Sequence, residues 1–453
     1  MFGFLKRLFG SSQSATEAES TPAPSAPKSA PEERPEPSTN TTADYVIVGA
    51  GPAGVMAADT LRKEDPNSEI VMIGAEDEEP YSRMAIPYVL TNLIEEGGTY
   101  LRKDDDHYGS AGIKVVRASV DSVDAGAKTI ALSNGTAQSY GKLLIATGAS
   151  PVKPPVEGLD LPGVSHCWTL ADARAIAEKA AEGSTVVLMG AGFIGCIILE
   201  SLLARGVKLT VVEALDRMVP RMMNQTAGNL IKTWCEEKGA TVHTSTKVTK
   251  IADADGALAV EMDNGETVSA DLVVVATGVK SNTAFLDGSG VEVEDGIKVN
   301  DRLQSSNPDI YAAGDCAQGP DFSTGGWSVH AIQPTATDHG RIAALNMAGQ
   351  SAPYQGSLNM NVLDTAGLIS ASFGDWEGAE GGSSAEVLNE ASYRYIRLQF
   401  KDDRLVGALS LGHTDHIGCL RGLIQSKRKL GVWKERLMKD PNRIAEAYVG
   451  GSQ

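Results

Sequence analysis

The chain has 453 residues, more than one ordinary domain, so we expect two or three domains. Its 58 acidic and 40 basic side chains give a net charge of −18, which argues against a nucleic-acid partner, because that affinity depends on neutralising phosphates. No apolar run approaches the roughly 18 residues that a transmembrane helix requires. The five cysteines are scattered without a metal-binding spacing, so we expect a cytoplasmic protein with no disulfide framework and no metal site.

The first ten residues, MFGFLKRLFG, form an apolar and basic peptide. On a helix the apolar side chains share one face, with Lys6 and Arg7 opposite, as in an interfacial membrane anchor. We expect residues 1–10 to contact the inner face of the membrane peripherally, to dock on a protein partner or to fray. Residues 11–42, rich in Ser, Thr, Ala, Glu and Pro, should form a disordered linker.

The globular body opens with an apolar strand at residues 45–48 and a G-x-G-x-x-G fingerprint made by Gly49, Gly51 and Gly54. In a βαβ unit the first glycine makes a tight turn, the second lets backbone approach a pyrophosphate, and the third lets helix pack against strand. The phosphates then lie at the N-terminus of the following helix, expected over residues 55–63. An acid should follow about 20 residues later as a ribose ligand.

The pattern restarts at Ser184, where a second strand leads to Gly190, Gly192 and Gly195. The next strand ends at Glu213, whose carboxylate would accept hydrogen bonds from a ribose 2′-OH and repel a 2′-phosphate. This favours NADH over NADPH, although Arg217 lies nearby and leaves the choice open. A glycine-rich turn alone can be structural, but two of them, each followed by an acid, predict two dinucleotides and therefore redox chemistry.

The body contains three further motifs: two segments carry an A-T-G triplet, and one reads DIYAAGDCAQ. In the last, small residues let the backbone approach a ligand and Asp315 follows an apolar strand, although a helix cap is the alternative. A helix is expected at residues 335–348 and short strands from about residue 354, before a closing basic helix at 422–440. That basic run is a solvated face, or it guides an acidic redox protein or anionic lipid.

This order of motifs resembles the pyridine-nucleotide-disulfide-oxidoreductase-like flavoproteins, over roughly residues 43–450, and most closely the rubredoxin reductase, nitrite reductase flavin module and apoptosis-inducing factor branch. The resemblance implies an α/β fold with two Rossmann-like three-layer domains, for FAD and for NAD, and a C-terminal α+β domain. It also implies that Asp315 hydrogen-bonds the FAD ribityl chain. The expected boundaries are the peptide at 1–10, the linker at 11–42, an FAD-binding domain at 43–150 and 281–352, an NAD-binding domain at 151–280 and the C-terminal domain at 353–453.

Two positions near the first fingerprint depart from relatives. Gly74 stands where many relatives carry the ribose-binding acid, so Glu76 or Asp77 must supply that contact, and we favour Glu76. Met84 stands where coenzyme A disulfide reductases and related NADH oxidases carry a redox cysteine, and a thioether cannot form a thiolate or a mixed disulfide. The nearby Arg83 resembles the arginine that lies along FAD in the rubredoxin reductase branch, so we expect it to pair with the pyrophosphate.

The expected nicotinamide pocket also departs from the family pattern. Many relatives carry a glutamate beside the nicotinamide where this chain has Ile197. Phe193 occupies the position of an aromatic that covers the flavin until NADH displaces it, or it is ordinary helix packing. Trp327 and His330 precede the helix that relatives aim at the isoalloxazine and could border the flavin. The turn with His413, Asp415 and His416 looks metal-like, but we interpret it as a polar turn.

The sequence therefore predicts an FAD-dependent NADH oxidoreductase that passes a hydride from NADH to FAD and electrons to a rubredoxin- or ferredoxin-like protein or a quinone. The alternatives are a slow-turnover NADH-binding flavoprotein with a partner-binding or redox-sensing role, and an NADH oxidase; a homodimer is possible. No protein acid, base or nucleophile is required, and the residues closest to the chemistry would be Phe193, Trp327 and His330. The expected cofactor-binding residues are Gly49, Gly51, Pro52, Ala53, Gly54, Glu76, Arg83, Ala146, Thr147, Gly148, Gly190, Gly192, Phe193, Ile194, Gly195, Glu213, Ala276, Thr277, Gly278, Gly314 and Asp315.

Overall fold

The computed structural model describes residues 42–450 as two Rossmann-like α/β units and a C-terminal α+β unit. The predicted peptide at 1–10 and all but the last residue of the predicted linker at 11–42 lie outside the described residues. Across residues 42–450, no helix combines the length and the apolar character needed to cross a membrane.

The first unit is built on a largely parallel sheet in the order β3-β2-β1-β6-β5-β4. Strand β1 is central, and both faces of the sheet are covered there, since Val46 and Ile47 are fully buried. Because β1 has parallel neighbours on both sides, the loop after it opens at the crevice where the strand order reverses. The elements are β1 (Thr42–Val48), α1 (Pro52–Glu64), β2 (Ile70–Gly74), α2 (Ile86–Leu90), α3 (His107–Ser110), β3 (Ile113–Arg117), β4 (Val120–Asp124), β5 (Thr129–Leu132), β6 (Ala137–Ile145) and β7 (Ala149–Pro151), with 3₁₀ turns at Arg83–Ala85 and Glu96–Thr99.

The second unit repeats this plan around β9, in the parallel order β11-β10-β9-β15-β8. A three-stranded antiparallel sheet, β12-β13-β14, packs beside it, and β16 pairs with β7 where the chain passes between the two units. The elements are β8 (Val164–His166), α4 (Leu170–Lys179), β9 (Thr185–Met189), α5 (Phe193–Ala204), β10 (Lys208–Val212), α6 (Gln225–Glu237), β11 (Thr241–His243), β12 (Val248–Ala254), β13 (Ala257–Met262), β14 (Thr267–Ala270), β15 (Leu272–Val275) and β16 (Val279–Ser281).

The chain then returns to the first unit, where β18 pairs in parallel with β6 and α7 packs on α1. The two helices approach closely because Gly340 has no side chain; a Cβ there would overlap the carbonyl oxygen of Ala53. The returning elements are a 3₁₀ turn at Ala284–Leu286, β17 (Ile297–Lys298), β18 (Ile310–Ala312), a 3₁₀ turn at Gly314–Cys316, β19 (Ala317–Pro320), β20 (Trp327–Ser328) and α7 (Gln333–Met347).

The C-terminal unit is a five-stranded antiparallel sheet in the order β21-β22-β25-β24-β23, covered by helices. Its core forms where Phe373 and Phe400 of the sheet meet Leu420 and Leu437 of the helices. The elements are β21 (Met360–Thr365), β22 (Leu368–Gly374), β23 (Ser383–Asn389), a 3₁₀ turn at Glu390–Ser392, β24 (Arg394–Lys401), β25 (Arg404–Leu411), α8 (Ile417–Ser426), α9 (Val432–Lys439), a 3₁₀ turn at Pro441–Arg443 and α10 (Ile444–Gly450).

The prediction of one basic helix over residues 422–440 is wrong, because the structure divides this segment into α8 and α9. The backbone is left-handed at Lys427, with a φ of 48°, and at Gly431, with a φ of 56°. The N–H groups of Leu430 and Gly431 donate to the backbone oxygen and carboxylate of Asp403, at 2.8 and 3.0 Å. These bonds to a neighbouring hairpin replace the helical bonds that the sequence alone would favour.

Candidate functional site

A cavity of about 580 Å³ lies at the carboxyl edge of the first sheet and extends to the second unit. It is bordered by the ends of β1, β2 and β6, by the loop after β18 and by the start of α7. These segments are distant along the chain, and they meet because parallel strands present their carboxyl ends at one edge. The expected site residues that line the cavity are Gly49, Gly51, Pro52, Ala53, Glu76, Arg83, Ala146, Thr147, Gly148, Phe193, Ile194, Gly314 and Asp315.

The three glycines of the first fingerprint have different surroundings. A Cβ at Gly49 would overlap the carbonyl oxygen of Ala146, and one at Gly54 would overlap the carbonyl oxygen of Gly49. At Gly51, in contrast, no atom of residues 42–450 lies within 4 Å of an added Cβ, which would project into open space. Gly51 is also the N-cap of α1 and offers no side chain to its first N–H groups. Open space and uncapped N–H groups together fit the pyrophosphate of a dinucleotide such as FAD.

Glu76 and Arg83 form an ion pair on the cavity wall, with 2.5 Å between Glu76 Oε1 and Arg83 Nη2. The Tyr81 hydroxyl donates to the other carboxylate oxygen of Glu76 at 2.6 Å. Arg83 Nη1 donates to the carbonyl oxygen of Trp168 at 2.6 Å, and the guanidinium lies over the Trp168 ring. The Arg83 guanidinium is therefore already bound by Glu76 and by the Trp168 carbonyl oxygen. Its predicted contact with a pyrophosphate would compete with these two interactions. Asp77, the alternative ribose ligand, is exposed and does not line the cavity.

Asp315, the acid of the A-G-D motif, sits in the 3₁₀ turn after β18 and lines the cavity. Its side chain caps no helix in the described structure. Burial raises the pKa of the Asp315 carboxyl to about 6, while the positive charge of Arg83 acts in the opposite direction. A desolvated carboxyl is suited to accept hydrogen bonds from the hydroxyl groups of a ligand. The residues around this cavity thus fit a flavin dinucleotide.

Several residues of the cavity wall are not among those that the sequence predicts. Cys167 and Trp168 line the wall just after β8, and Asn282 and Gln333 line it from the returning segment. The signal that could have found Cys167 and Trp168 is their place after an apolar strand, at the same edge as the fingerprints. Burial raises the pKa of the Cys167 thiol to about 12, so this group is a neutral thiol near pH 7.

The second fingerprint reproduces the geometry of the first. Added Cβ atoms would overlap the Ala276 carbonyl at Gly190 and the Gly190 carbonyl at Gly195, whereas Gly192 faces space free of described atoms. Gly192 is the N-cap of α5 without a side-chain cap. Most of this second site lies outside the large cavity: Gly190, Gly192, Gly195, Glu213, Ala276, Thr277 and Gly278 do not line it. Gly54 of the first fingerprint does not line it either.

Glu213 ends β10 beside the second fingerprint, and its side chain is only 7% exposed. One carboxylate oxygen accepts the N–H of Ala191 at 2.7 Å, and the other accepts the N–H of Leu215 at 2.9 Å. Arg217 donates to the carbonyl oxygens of Met223 and Pro220 and pairs with Asp216. The Glu213 carboxylate is therefore held in place at the expected ribose position. The nearby Arg217 guanidinium is bound by other groups and does not pair with it.

The two sites meet where α5 begins. Phe193, Ile194 and Ile197 follow the second fingerprint, yet all three side chains line the large cavity of the first unit. Met84 lines the same cavity and is 47% exposed. A ligand held by the second fingerprint would extend along α5 toward these apolar side chains.

Trp327 and His330 do not lie on the cavity wall; their neighbours Ala331 and Gln333 do. The Trp327 ring is half exposed and donates to the carbonyl oxygen of Val299 at 2.8 Å. His330 Nε2 lies 3.4 Å from Asp321 Oδ2. Among residues 42–450, no group of three His, Cys, Asp or Glu side chains could hold a metal ion, and this includes the turn at 413–416.

Comparison with known proteins agrees with this geometry. Residues 43–347 match the family described as pyridine nucleotide-disulphide oxidoreductase, and the chain belongs to this family. It is 31% identical to the NADH-dependent phenylglyoxylate dehydrogenase subunit epsilon of Aromatoleum evansii, over 89% of this chain and 97% of that protein. It is 28% identical to the rubredoxin-NAD(+) reductase of Pseudomonas putida, over 84% and 98%. The structure resembles a ferredoxin reductase from Rhodopseudomonas palustris with a TM-score of 0.74 and 27% identity, over 82% and 91%.

Membership of this family establishes the general activity. The chain is an FAD-dependent NAD(P)H oxidoreductase of α/β architecture, as its sequence predicts.

Proposed function

We propose that this chain is an NADH-dependent flavoprotein reductase that delivers electrons to a small redox protein. The observation that carries the proposal is the shared wall of the large cavity, which joins the first fingerprint to Phe193 and Ile194 of the second. A flavin in this cavity and a nicotinamide nucleotide on the second fingerprint would approach each other along α5.

When bound, FAD supplies the capacity to accept a hydride from NADH and to release electrons to an acceptor. Around it, the apolar side chains of Phe193, Ile194 and Ile197 exclude water from the junction between the two sites. We assign the adenosine ribose to Glu76, which Arg83 orients, and the hydroxyl-bearing chain of the flavin to Asp315. We assign the NADH ribose to Glu213, whose charge disfavours the 2′-phosphate of NADPH.

Two observations support a redox-protein acceptor. The rubredoxin-NAD(+) reductase relative and the ferredoxin reductase structure are both named for small electron carriers. In addition, a thioether, Met84, occupies the exposed edge of the cavity. Because a thioether cannot form a thiolate, this position does not support a cysteine-based reduction of disulfides or peroxides.

The proposal is tested by anaerobic stopped-flow reduction of the FAD-loaded protein. NADH should bleach the flavin rapidly, and NADPH should do so more slowly. The reduced protein is then mixed separately with rubredoxin, a 2Fe–2S ferredoxin, a soluble quinone and oxygen. We expect fastest reoxidation by one of the two proteins; fastest reoxidation by oxygen or by the quinone would contradict the proposal.

A second candidate function is favoured by Ile197. The Ile197 side chain lines the cavity at a position where many relatives carry a carboxylate. This position therefore presents no charge to the nicotinamide. The chain would then be an NADH-binding flavoprotein of slow turnover, which changes partners when reduced. A long-lived charge-transfer absorbance after NADH addition, with negligible turnover on every acceptor, would support this function over the first.

A further inference from the structure

A second cavity of about 450 Å³ lies in the C-terminal unit, between β23, β24 and the loop that leads into α8. Its floor is apolar, with Ile396 and Leu420 buried beneath it. Its polar walls carry Arg394, His413, Asp415 and His416, together with the amides of Asn389 and Asn442. None of these residues lines the large cavity, so the cleft is separate from the flavin site.

Three donor-bearing side chains on the wall of this cleft have no hydrogen-bond partner in the described protein. Across residues 42–450, the side chains of Arg394, His413 and His416 make no hydrogen bond and no ion pair. Neighbouring arginines behave differently: Arg397 pairs with Glu386, and Arg443 pairs with Glu446. The described wall carries one guanidinium, Arg394, and one carboxylate, Asp415. Burial, followed by the positive charge of Arg394, lowers the pKa of His413, so its imidazole offers a neutral N–H donor near neutral pH.

The start of α8 adds to this polarity. The helix begins at Ile417, directly after His416, which is its N-cap and makes no side-chain hydrogen bond to the first turn. The first N–H groups of the helix therefore stay uncapped by a side chain at the edge of the cleft. Uncapped N–H groups and the helix dipole favour a negative ligand.

We propose that this cleft is a binding site for a small molecule that carries a phosphate group, held by Arg394 and by the imidazoles of His413 and His416. A planar guanidinium binds phosphate oxygens through paired hydrogen bonds. The amide nitrogen of Asn389 supplies a neutral donor, whereas the amide nitrogen of Asn442 already donates to Asp440 at 3.0 Å. Arg394 makes a metal ion an unfavourable occupant, because it is a positive charge on the wall of the same cleft.

The cleft borders the contact between the C-terminal sheet and the second Rossmann-like unit. Tyr393, which precedes Arg394, packs edge-on against the Trp234 ring of α6, with 5.0 Å between ring centroids. On the same strand, the hydroxyl of Tyr395 accepts a hydrogen bond from Asn224 at 2.7 Å. A ligand that immobilises Arg394 would thus stabilise the part of β24 that carries this contact, which raises the unfolding temperature of the loaded protein.

The test uses the full-length, FAD-loaded protein with saturating NAD⁺, so that the two dinucleotide sites are filled. Isothermal titration with inorganic phosphate and with pyrophosphate should detect one further site. Arg394→Gln should weaken this binding about 10-fold or more, as expected for loss of a charge-assisted hydrogen bond. Arg421→Gln is the matched control, since Arg421 lies on the outside of α8 and bonds to Gln425, and it should leave the affinity unchanged.

The variant Asp415→Asn distinguishes an anion site from a cation site, because it should change the ligand affinity in opposite directions in the two cases. Removing this carboxylate should tighten phosphate binding. If Zn²⁺ alone binds instead, and Asp415→Asn abolishes its binding while Arg394→Gln strengthens it, the proposal is overturned. Absence of phosphate and pyrophosphate binding would also overturn it.

The source of the phosphate group is tested separately. Adenosine monophosphate in solution and vesicles of phosphatidylglycerol are offered to the same loaded protein. Competition of the nucleotide with pyrophosphate identifies a soluble ligand, whereas co-sedimentation with vesicles that Arg394→Gln abolishes identifies a lipid headgroup. Each result supports the site and names its ligand, and binding that is insensitive to Arg394→Gln in both arms contradicts it.

Discussion

Arg83 joins the carboxylate of Glu76, 2.5 Å from its guanidinium, to the carbonyl oxygen of Trp168 in the second Rossmann-like unit, at 2.6 Å. One side chain therefore links the end of β2 to the segment after β8. The bridge fixes the direction in which Glu76 faces the cavity, and it makes the position of that carboxylate depend on how the two units pack.

Replacing Glu76 with Gln should weaken FAD binding about 10-fold, because a charged hydrogen-bond acceptor for the ribose is lost. Equilibrium binding of FAD to the apoprotein, followed by flavin fluorescence, measures the effect. Asp77→Asn is the matched control, because Asp77 is exposed and lies off the cavity wall. A larger loss for Asp77→Asn than for Glu76→Gln would reject the assignment.

Gly51→Val should give a folded protein that lacks FAD. The added side chain meets no described protein atom but fills the space that fits the pyrophosphate. Gly54→Val should behave differently and fail to fold stably, because its side chain would overlap the backbone of Gly49. Circular dichroism and the flavin absorbance of the purified variants distinguish the two results. Full flavin occupancy in folded Gly51→Val would show that the pyrophosphate does not lie there.

Glu213→Gln should reduce the preference for NADH over NADPH. The amide keeps the size of the side chain but removes the negative charge that repels a 2′-phosphate. We expect kcat/KM for NADH to fall about 10-fold and kcat/KM for NADPH to stay level or rise. Steady-state rates with an artificial acceptor provide both values. A wild-type protein that uses the two nucleotides equally would remove the basis for this role of Glu213.

Thiol alkylation should leave flavin reduction by NADH largely intact. Cys196 and Cys316 are fully buried, and burial raises the pKa of each thiol, so the reactive thiolate is scarce. Cys167 lines the large cavity, but burial also raises the pKa of its thiol to about 12. Stopped-flow reduction before and after iodoacetamide treatment tests this. Rapid loss of reduction that NADH prevents would assign a function to one of these cysteines.

Glu200→Gln should stabilise the protein at alkaline pH and have little effect at acidic pH. Burial, followed by the negative charge of Asp364, raises the pKa of Glu200 to about 7 in the folded protein. The folded state thus holds a proton that the unfolded state releases near pH 4.5, and wild-type stability falls as pH rises toward and through 7. The difference in Tm between variant and wild type should grow from pH 5 to pH 8. Glu178→Gln, at an exposed position on α4, should show no such trend.

The sequence by itself determined the two fingerprints, the acid after the second and the A-G-D turn. These are local requirements: Gly49 and Gly190 have positive φ angles, and Gly54 and Gly195 allow backbone contact within a single βαβ unit. The order of strands and helices around them follows from periodicity and turn residues. Each of these motifs lies within about 30 residues of chain, so it can be recognised from the sequence alone.

The tertiary structure decided which distant residues meet. Arg83 reaches Trp168, and His413 joins Arg394 in a cleft, through packing between elements far apart in sequence. It also divided the basic segment into α8 and α9, because Asp403 of a neighbouring hairpin binds the N–H groups between them. Such contacts depend on how whole units pack against each other. The local sequence pattern therefore does not predict which distant partner each polar group will bind.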